Sequence, residues 1–156
     1  MSEKLIVRQN ANFEFGIWSV DPNQPEANEF KPVSRIFELT PYGMMLAASA
    51  TCTTQVVFSY AQHHEVDLGV MEILLEYNRH FKEDCEGCEG IDRYEEFIEE
   101  KISFSGDLTD QEKEKLFYIA HQCPIYKMYR NGIEINSTQV EDIQAEELHA
   151  SIQSNE

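Results

Sequence analysis

The chain of 156 residues is long enough for one hydrophobic core and short for two, so we expect a single domain over residues 1–140 and an acidic tail over residues 141–156. Its 12 basic and 29 acidic residues give a formal net charge of −17 at pH 7, which disfavours nucleic acid and anionic membranes as partners. No apolar run approaches the roughly twenty residues of a membrane-spanning helix, and MSEKLIVRQN lacks the order of a signal peptide. These features predict a cytoplasmic protein.

The N-terminal part of the chain predicts three short β-strands followed by a long helix. Apolar residues alternate at period two in KLIVRQ, FEFGIWSV and SRIFEL, and Asn-rich and Pro-rich breaks separate these segments. Thr40 and Pro41 form a helix cap followed by a first-turn proline. From Met44 to about Gln62 the residues keep helical spacing and are apolar on nearly every side, which is typical of a helix inside a core.

Two long alternating segments come next, VMEILLEYNRHF and the stretch from Arg93 to Ser105, and the polar turn KEDCEGCEGID joins them into a predicted hairpin. A second helix follows, because Thr109 and Glu112 have the spacing of a capping box. Pro124 is expected to break or restart this helix, and NGIEIN predicts a turn with a short edge strand. The pattern therefore predicts an α+β fold built on an antiparallel sheet.

Two lone cysteines fall on the predicted buried faces of the two helices. Cys52 lies among small and apolar residues of the first helix, and Cys123 continues the apolar face of the second. If the two thiols meet, a sulfenic acid formed on one can be captured by the other as a disulfide. Unpaired cysteine is also among the most buried residue types, so core packing alone would explain both positions. Spacing leaves both interpretations open.

The segments around these cysteines resemble the two signatures of the OsmC/Ohr family, the osmotically inducible and organic hydroperoxide resistance proteins. TPYGMMLAASATCTTQVVFSYAQ has a proline that opens a helix and small residues before a cysteine, and LTDQEKEKLFYIAHQCPIYK ends in His-x-Cys-Pro. The resemblance covers roughly Lys4 to Asn136. It implies an antiparallel sheet wrapped around central helices in an intertwined homodimer, with paired active sites at the interface.

By position, the resemblance implies that Cys52 is the peroxidatic residue and Cys123 the resolving residue of an organic hydroperoxide reductase that a dithiol recharges, without a cofactor or a metal. Peroxidases of this family activate the first cysteine with an arginine held by a glutamate just after the helix-opening proline. Here that turn reads PYGMM and has no carboxylate. Arg8 and Arg35 are therefore the candidates for the arginine, and Tyr42 for the missing hydrogen bond. The alternative is a non-catalytic dimer of the same fold that binds a small apolar ligand or a redox partner.

A second group of possible ligands lies outside these signatures, in HFKEDCEGCEG. Cys85 and Cys88 form a C-x-x-C pair with His80 five residues upstream, which makes three of the four ligands of a tetrahedral zinc ion. A polar turn with free thiols, a redox pair and a metal site are all compatible with this spacing.

The histidines of the two helices are predicted to have structural roles. His63 and His64 fall in the last turn of the first helix, where a positive charge is favourable. His121 precedes Cys123 by two residues, so on a helix the two side chains point to different sides. Direct activation of Cys123 by His121 is therefore not expected.

Overall fold

The structure is a computed structural model, and it describes residues 2–81 and 94–139. This part of the chain is α+β, as the sequence predicts. Its strands and helices are, in chain order, β1 (Ser2–Asn10), β2 (Phe15–Val20), β3 (Phe30–Pro32), α1 (Pro41–His63), β4 (Leu68–Phe81), β5 (Tyr94–Gly106), α2 (Asp110–Ala120) and α3 (Pro124–Asn131).

The strands form one antiparallel sheet in the order β3-β2-β1-β4-β5. Along β1, alternate residues face opposite sides of the sheet: Leu5 and Val7 are fully buried, whereas Arg8 is exposed. Leu5 lies opposite Leu75 of β4, and Val7 lies opposite Ile73. One face of the sheet is therefore apolar, and α1 packs against it.

The long helix α1 begins where the sequence predicts. The Thr40 side chain accepts a hydrogen bond of 3.1 Å from the backbone N–H of Gly43, and Pro41 occupies the first helical position. Leu46 and Val57 are fully buried, and burial of a leucine or valine side chain contributes about 1.5–3 kcal/mol to the free energy of unfolding. Among the described residues, no helix is both long and apolar enough to cross a membrane.

The predicted capping box and proline break set the positions of α2 and α3. The Thr109 side chain accepts from the Glu112 N–H at 3.2 Å, and the Glu112 carboxylate accepts from the Thr109 N–H at 2.8 Å. Leu116 anchors α2 in the core with no exposed surface. Pro124 starts the new helix α3, and Cys123 is its N-cap residue. The chain therefore turns at the second cysteine.

The strand predicted in SRIFEL is wrong. Ile36–Glu38 forms a short 3-10 helix, and the third strand, β3, lies earlier, at Phe30–Pro32. The Glu38 carboxylate accepts a hydrogen bond of 2.9 Å from the Ser34 N–H. This local hydrogen bond closes a turn, which competes with the pairing of the segment as a β-strand.

The edge strand predicted in NGIEIN is also wrong for this chain, because residues 132–139 have no regular secondary structure. Ile133 and Ile135 alternate as in a strand but are 65% and 78% exposed. The alternation is present in the sequence, but within the described residues this segment does not pair with the sheet.

Candidate active site

Two cysteine thiols meet where α1 packs against α3. Cys52, in the middle of α1, is half-buried, and Cys123, immediately before α3, is fully buried. The two thiols lie close enough for Cys123 to act on the ionisation of Cys52, and both are free. The meeting of the two thiols, which sequence spacing left open, is therefore a contact in the folded chain.

Opposing influences act on the pKa of the Cys52 thiol. Burial raises this pKa above the ordinary cysteine value, and the interaction with Cys123 raises it further. The backbone N–H of Ile125 hydrogen-bonds to the thiol and lowers the pKa, because it stabilises the thiolate. Ile125 lies in the first turn of α3, where N–H groups have no partner within the helix. The helix N-terminus that stabilises the Cys52 thiolate is therefore that of α3.

A cavity of about 620 Å³ lies between α1, α3 and the β4–β5 hairpin, and residues one helical turn from each thiol line it. Ser49, about one helical turn before Cys52, lines its wall, and so does Tyr126, about one turn after Cys123. The volume lies within the range of sites that bind small molecules. Its apolar wall includes Met45, Leu75, Phe97 and Ile98.

Another part of the cavity wall carries a hydrogen-bonded cluster that includes an arginine. The Tyr42 hydroxyl accepts a hydrogen bond of 2.5 Å from Nη2 of Arg79, and the same nitrogen lies 2.8 Å from Oε1 of Glu96. The Tyr77 ring stacks on that of Tyr42, with centroids 4.6 Å apart, and its hydroxyl donates to Glu96 at 2.5 Å. Tyr42 therefore does hydrogen-bond to an arginine, but this arginine comes from β4.

The members of this cluster set one another's ionisation. Burial, followed by the hydrogen bond to Glu96, raises the pKa of Tyr77 to about 12. The Tyr77 hydroxyl and then the Arg79 guanidinium lower the pKa of Glu96, since both stabilise its carboxylate. The hydrogen bonds to Glu96 and Tyr77 also raise the pKa of Arg79. At neutral pH the cluster thus holds a charged guanidinium against a carboxylate.

The sequence match to a protein family spans most of this fold. Residues 35–138, which include α1, both thiols and the hairpin, match the family model described as OsmC-like protein. The chain belongs to the OsmC-like family. A comparison with curated protein sequences finds no match.

Two solved structures are similar to this chain. An OsmC-like hydroperoxide resistance protein from Jannaschia sp. CCS1 is 13% identical, with 91% of this chain and 96% of that chain covered and a TM-score of 0.56. The organic hydroperoxide resistance protein OhrB of Bacillus subtilis is 17% identical, with 86% and 94% covered and a TM-score of 0.44. The first likeness shows that the OsmC-like chain has the fold its sequence predicts.

Within the described part of the OsmC-like chain, neither predicted arginine is among the groups that act on the Cys52 thiol. Arg8 is exposed on β1, on the face opposite the buried Val7. Arg35 is 80% exposed, and its Nε lies 3.5 Å from Oε1 of Glu38. The activation of Cys52 by either arginine stays a prediction.

The sequence patterns did not single out Arg79 or Glu100, and they gave His121 only a structural role. Oε1 of Glu100 lies 3.5 Å from Nε2 of His121, and Glu100 lines the same cavity. Two features of the sequence could have identified Arg79 and Glu100. Arg79 follows Tyr77 by two residues on β4 and so shares its face, and Glu100 interrupts the inward-facing row of isoleucines on β5.

Cys85, Cys88 and the tail over residues 141–156 lie outside the described residues, so the interpretations of the C-x-x-C segment and of the tail stay predictions. His80 is described, and its ring lies against that of Phe97, with centroids 5.2 Å apart. Over residues 2–81 and 94–139, no three His, Cys, Asp or Glu side chains are grouped so that they could hold a metal ion.

Proposed function

We propose that this OsmC-like protein reduces organic hydroperoxides through its two described thiols. The observation that carries the proposal is the close approach of the Cys52 and Cys123 thiols, with the Ile125 N–H stabilising the Cys52 thiolate. One thiol must reduce the peroxide and a second must reach the oxidised sulfur, and a contacting pair meets both needs. A structural neighbour that is named an OsmC-like hydroperoxide resistance protein supports the same chemistry.

The difference in exposure supports a different role for each thiol. Cys52 is half-buried and therefore accessible in part to a molecule from solvent. Cys123 has no exposed surface, so a peroxide cannot contact it directly. Cys52 is then the peroxidatic cysteine, and Cys123 is the resolving cysteine.

The reaction has two steps, after which the two thiols are regenerated. The Cys52 thiolate attacks the terminal oxygen of the hydroperoxide and the O–O bond breaks, so that the sulfur is oxidised to a sulfenic acid and the peroxide, after gaining one proton, is reduced to an alcohol. The Cys123 thiol then attacks the sulfenic sulfur, a disulfide forms and water leaves. An external dithiol reduces this disulfide and is itself oxidised to a disulfide.

The raised pKa of Cys52 keeps most of the thiol protonated at neutral pH. A small thiolate fraction still supports catalysis, because thiolates are strong nucleophiles, and the Ile125 N–H favours that fraction. We therefore expect the rate of hydroperoxide reduction to increase as the pH rises towards the pKa of Cys52.

We also propose that the protein is a cytoplasmic homodimer. Several large apolar side chains of the single chain are exposed, a condition that a second subunit would relieve. Two of them, Ile133 and Ile135, alternate along a segment that pairs with no strand within residues 2–81 and 94–139. Others are Phe37, Phe97 and Phe117, which are 87%, 40% and 51% exposed. Sedimentation as a stable monomer at micromolar concentration would contradict the dimer.

The decisive experiment measures hydroperoxide consumption in a variant whose Cys85 and Cys88 are replaced by serine, so that only the two described thiols remain. Cumene hydroperoxide and dithiothreitol are expected to support turnover. Cys52→Ser should abolish turnover. Cys123→Ser should leave a sulfenic acid on Cys52 that dimedone traps, and it should prevent the internal disulfide. Oxidation of Cys52 no faster than that of free cysteine would reject the proposal.

The cavity of about 620 Å³ favours a second candidate, a non-catalytic OsmC-like dimer that binds a small apolar ligand or a redox partner. In that case the raised pKa of Cys52 reflects simple burial, and the thiols pack without reacting. The same experiment separates the two functions. A ligand-binding protein would bind a fluorescent apolar probe in the cavity but would leave cumene hydroperoxide intact.

A further inference from the structure

The proposed reaction needs a proton that neither thiol supplies from an accessible position. When Cys52 attacks a hydroperoxide, the O–O bond breaks towards a strongly basic alkoxide, and a proton delivered to that oxygen makes it a better leaving group. Cys123 has no exposed surface and cannot offer its proton to the cavity. The Tyr129 hydroxyl already donates to the Met45 carbonyl at 2.7 Å. A carboxylic acid on the cavity wall would supply that proton more readily than a phenol, whose ordinary pKa is about 10.

Glu100 is a carboxyl group in that wall. It lies on β5 between the partly buried Ile98 and Ile102, and its side chain is only 16% exposed. Burial raises the pKa of Glu100, while the neighbouring His121 acts in the opposite direction. Desolvation thus favours a form of Glu100 that carries a proton, which a general acid requires.

His121 is held in one orientation towards this carboxyl group. Its Nδ1 lies 2.8 Å from the Phe117 carbonyl oxygen, which can only accept, so Nδ1 carries a hydrogen. Nε2 then faces Oε1 of Glu100 at 3.5 Å. The ring packs against Tyr126, with centroids 4.8 Å apart, and Tyr126 also lines the cavity. The pair can hold one proton between the imidazole and the carboxylate, next to the cavity.

We propose that Glu100 is the general acid of this site: its carboxyl group protonates the oxygen that leaves when the O–O bond breaks, and His121 positions this group and returns a proton to it. The inference rests on the proposed peroxidase function. In the first step the Cys52 sulfur gains one oxygen, the alkoxide takes the Glu100 proton, and an alcohol leaves the cavity. Glu100 is a catalytic residue in this scheme, and His121 is a positioning residue.

The other role open to the pair is structural, since it ties β5 to the end of α2 just before Cys123. Two oxidants that both carry a phenyl ring separate these roles. Cumene hydroperoxide releases a strongly basic alkoxide, whereas peroxybenzoic acid releases benzoate, which needs no proton. Loss of a general acid slows only the reaction with cumene hydroperoxide, whereas distortion of the thiol pair slows the reactions with both oxidants.

The test compares Glu100→Gln with Glu99→Gln. Glu99 immediately precedes Glu100 on the same strand and has an exposed carboxyl group, so it is the matched control. We expect Glu100→Gln to lower kcat/KM for cumene hydroperoxide by about 100-fold and that for peroxybenzoic acid by less than about threefold. Glu99→Gln should change neither. His121→Gln retains the Glu100 side chain but removes the residue that positions it, so it should produce the same selective loss to a smaller extent. It serves as the second variant if Glu100→Gln fails to fold.

Equal losses with both oxidants in Glu100→Gln and in His121→Gln would overturn the inference and leave the pair a structural role. Unchanged rates with cumene hydroperoxide in both variants would overturn it as well. If the unmodified protein consumes neither oxidant, the proposed function fails, and this inference fails with it. The wild-type rates and the variant ratios are separate readouts, so the two failures are distinguishable.

Discussion

The backbone N–H of Ile125, in the first turn of α3, hydrogen-bonds to the thiol of Cys52, in the middle of α1. This N–H has no partner within its own helix, so the bond satisfies a free donor and also favours the thiolate. The half-buried cysteine of one helix thus takes its anionic stabilisation from the start of another.

The first prediction concerns this bond. Ile125→Pro removes this N–H from the first turn of α3, where no hydrogen bond within the helix is lost, so the pKa of Cys52 should rise further and its alkylation by iodoacetamide at pH 7 should slow. Ile125→Ala keeps the N–H and serves as the matched control. The measurement is the pH dependence of alkylation of Cys52, followed by mass spectrometry. Equal profiles for the two variants would show that the N–H does not act on the thiol.

The second prediction concerns the hydrogen bond between Tyr42 and Arg79. Tyr42→Phe leaves the stacked ring but removes the acceptor of a charged donor, so the free energy of unfolding should fall by about 1 kcal/mol. Tyr118→Phe, at a position that is 57% exposed, should change it by less than about 0.5 kcal/mol. Urea denaturation followed by circular dichroism measures both. Equal effects of the two substitutions would mean that the hydroxyl contributes nothing specific.

The third prediction is a pH dependence of stability that arises from Glu96. The Tyr77 hydroxyl and Arg79 lower its pKa in the folded state, so Glu96 stabilises the fold above the ordinary glutamate pKa of about 4.3. This contribution is lost as the pH falls from that value through the lowered pKa. Thermal unfolding between pH 6 and pH 3 should therefore show a steeper fall in Tm for the wild type than for Glu96→Gln. Glu99→Gln, an exposed control, should follow the wild type.

The fourth prediction tests the end of the β4–β5 hairpin. Gly106 has φ of +139°, and a Cβ atom there would lie 2.2 Å from the Asp67 carbonyl oxygen. Gly106→Ala should therefore lower the free energy of unfolding by about 3 kcal/mol. Gly132 has φ of +78° but open space around it, so Gly132→Ala should cost about 1 kcal/mol. Similar costs in urea denaturation would contradict the predicted clash at Gly106.

The sequence determined the elements whose signals are local. Alternation at period two identified β1, β2 and the hairpin strands, because successive side chains of a strand face opposite sides whatever lies beyond them. Thr40 with Pro41, and Thr109 with Glu112, identified the starts of α1 and α2, because a cap satisfies backbone groups within four residues. Local signals failed where another local hydrogen bond competed, as between Ser34 and Glu38.

Only the tertiary structure decided which of these elements meet. The sequence placed Cys52 and Cys123 on buried faces, but the contact between their thiols depends on how α3 packs against α1 after the turn at Pro124. Tyr42 could be named as a hydrogen-bonding residue, yet its partner, Arg79, is set by the register of β4 beneath the start of α1. Such contacts join residues far apart in the chain, and their formation depends on packing throughout the core, which no short stretch of sequence encodes.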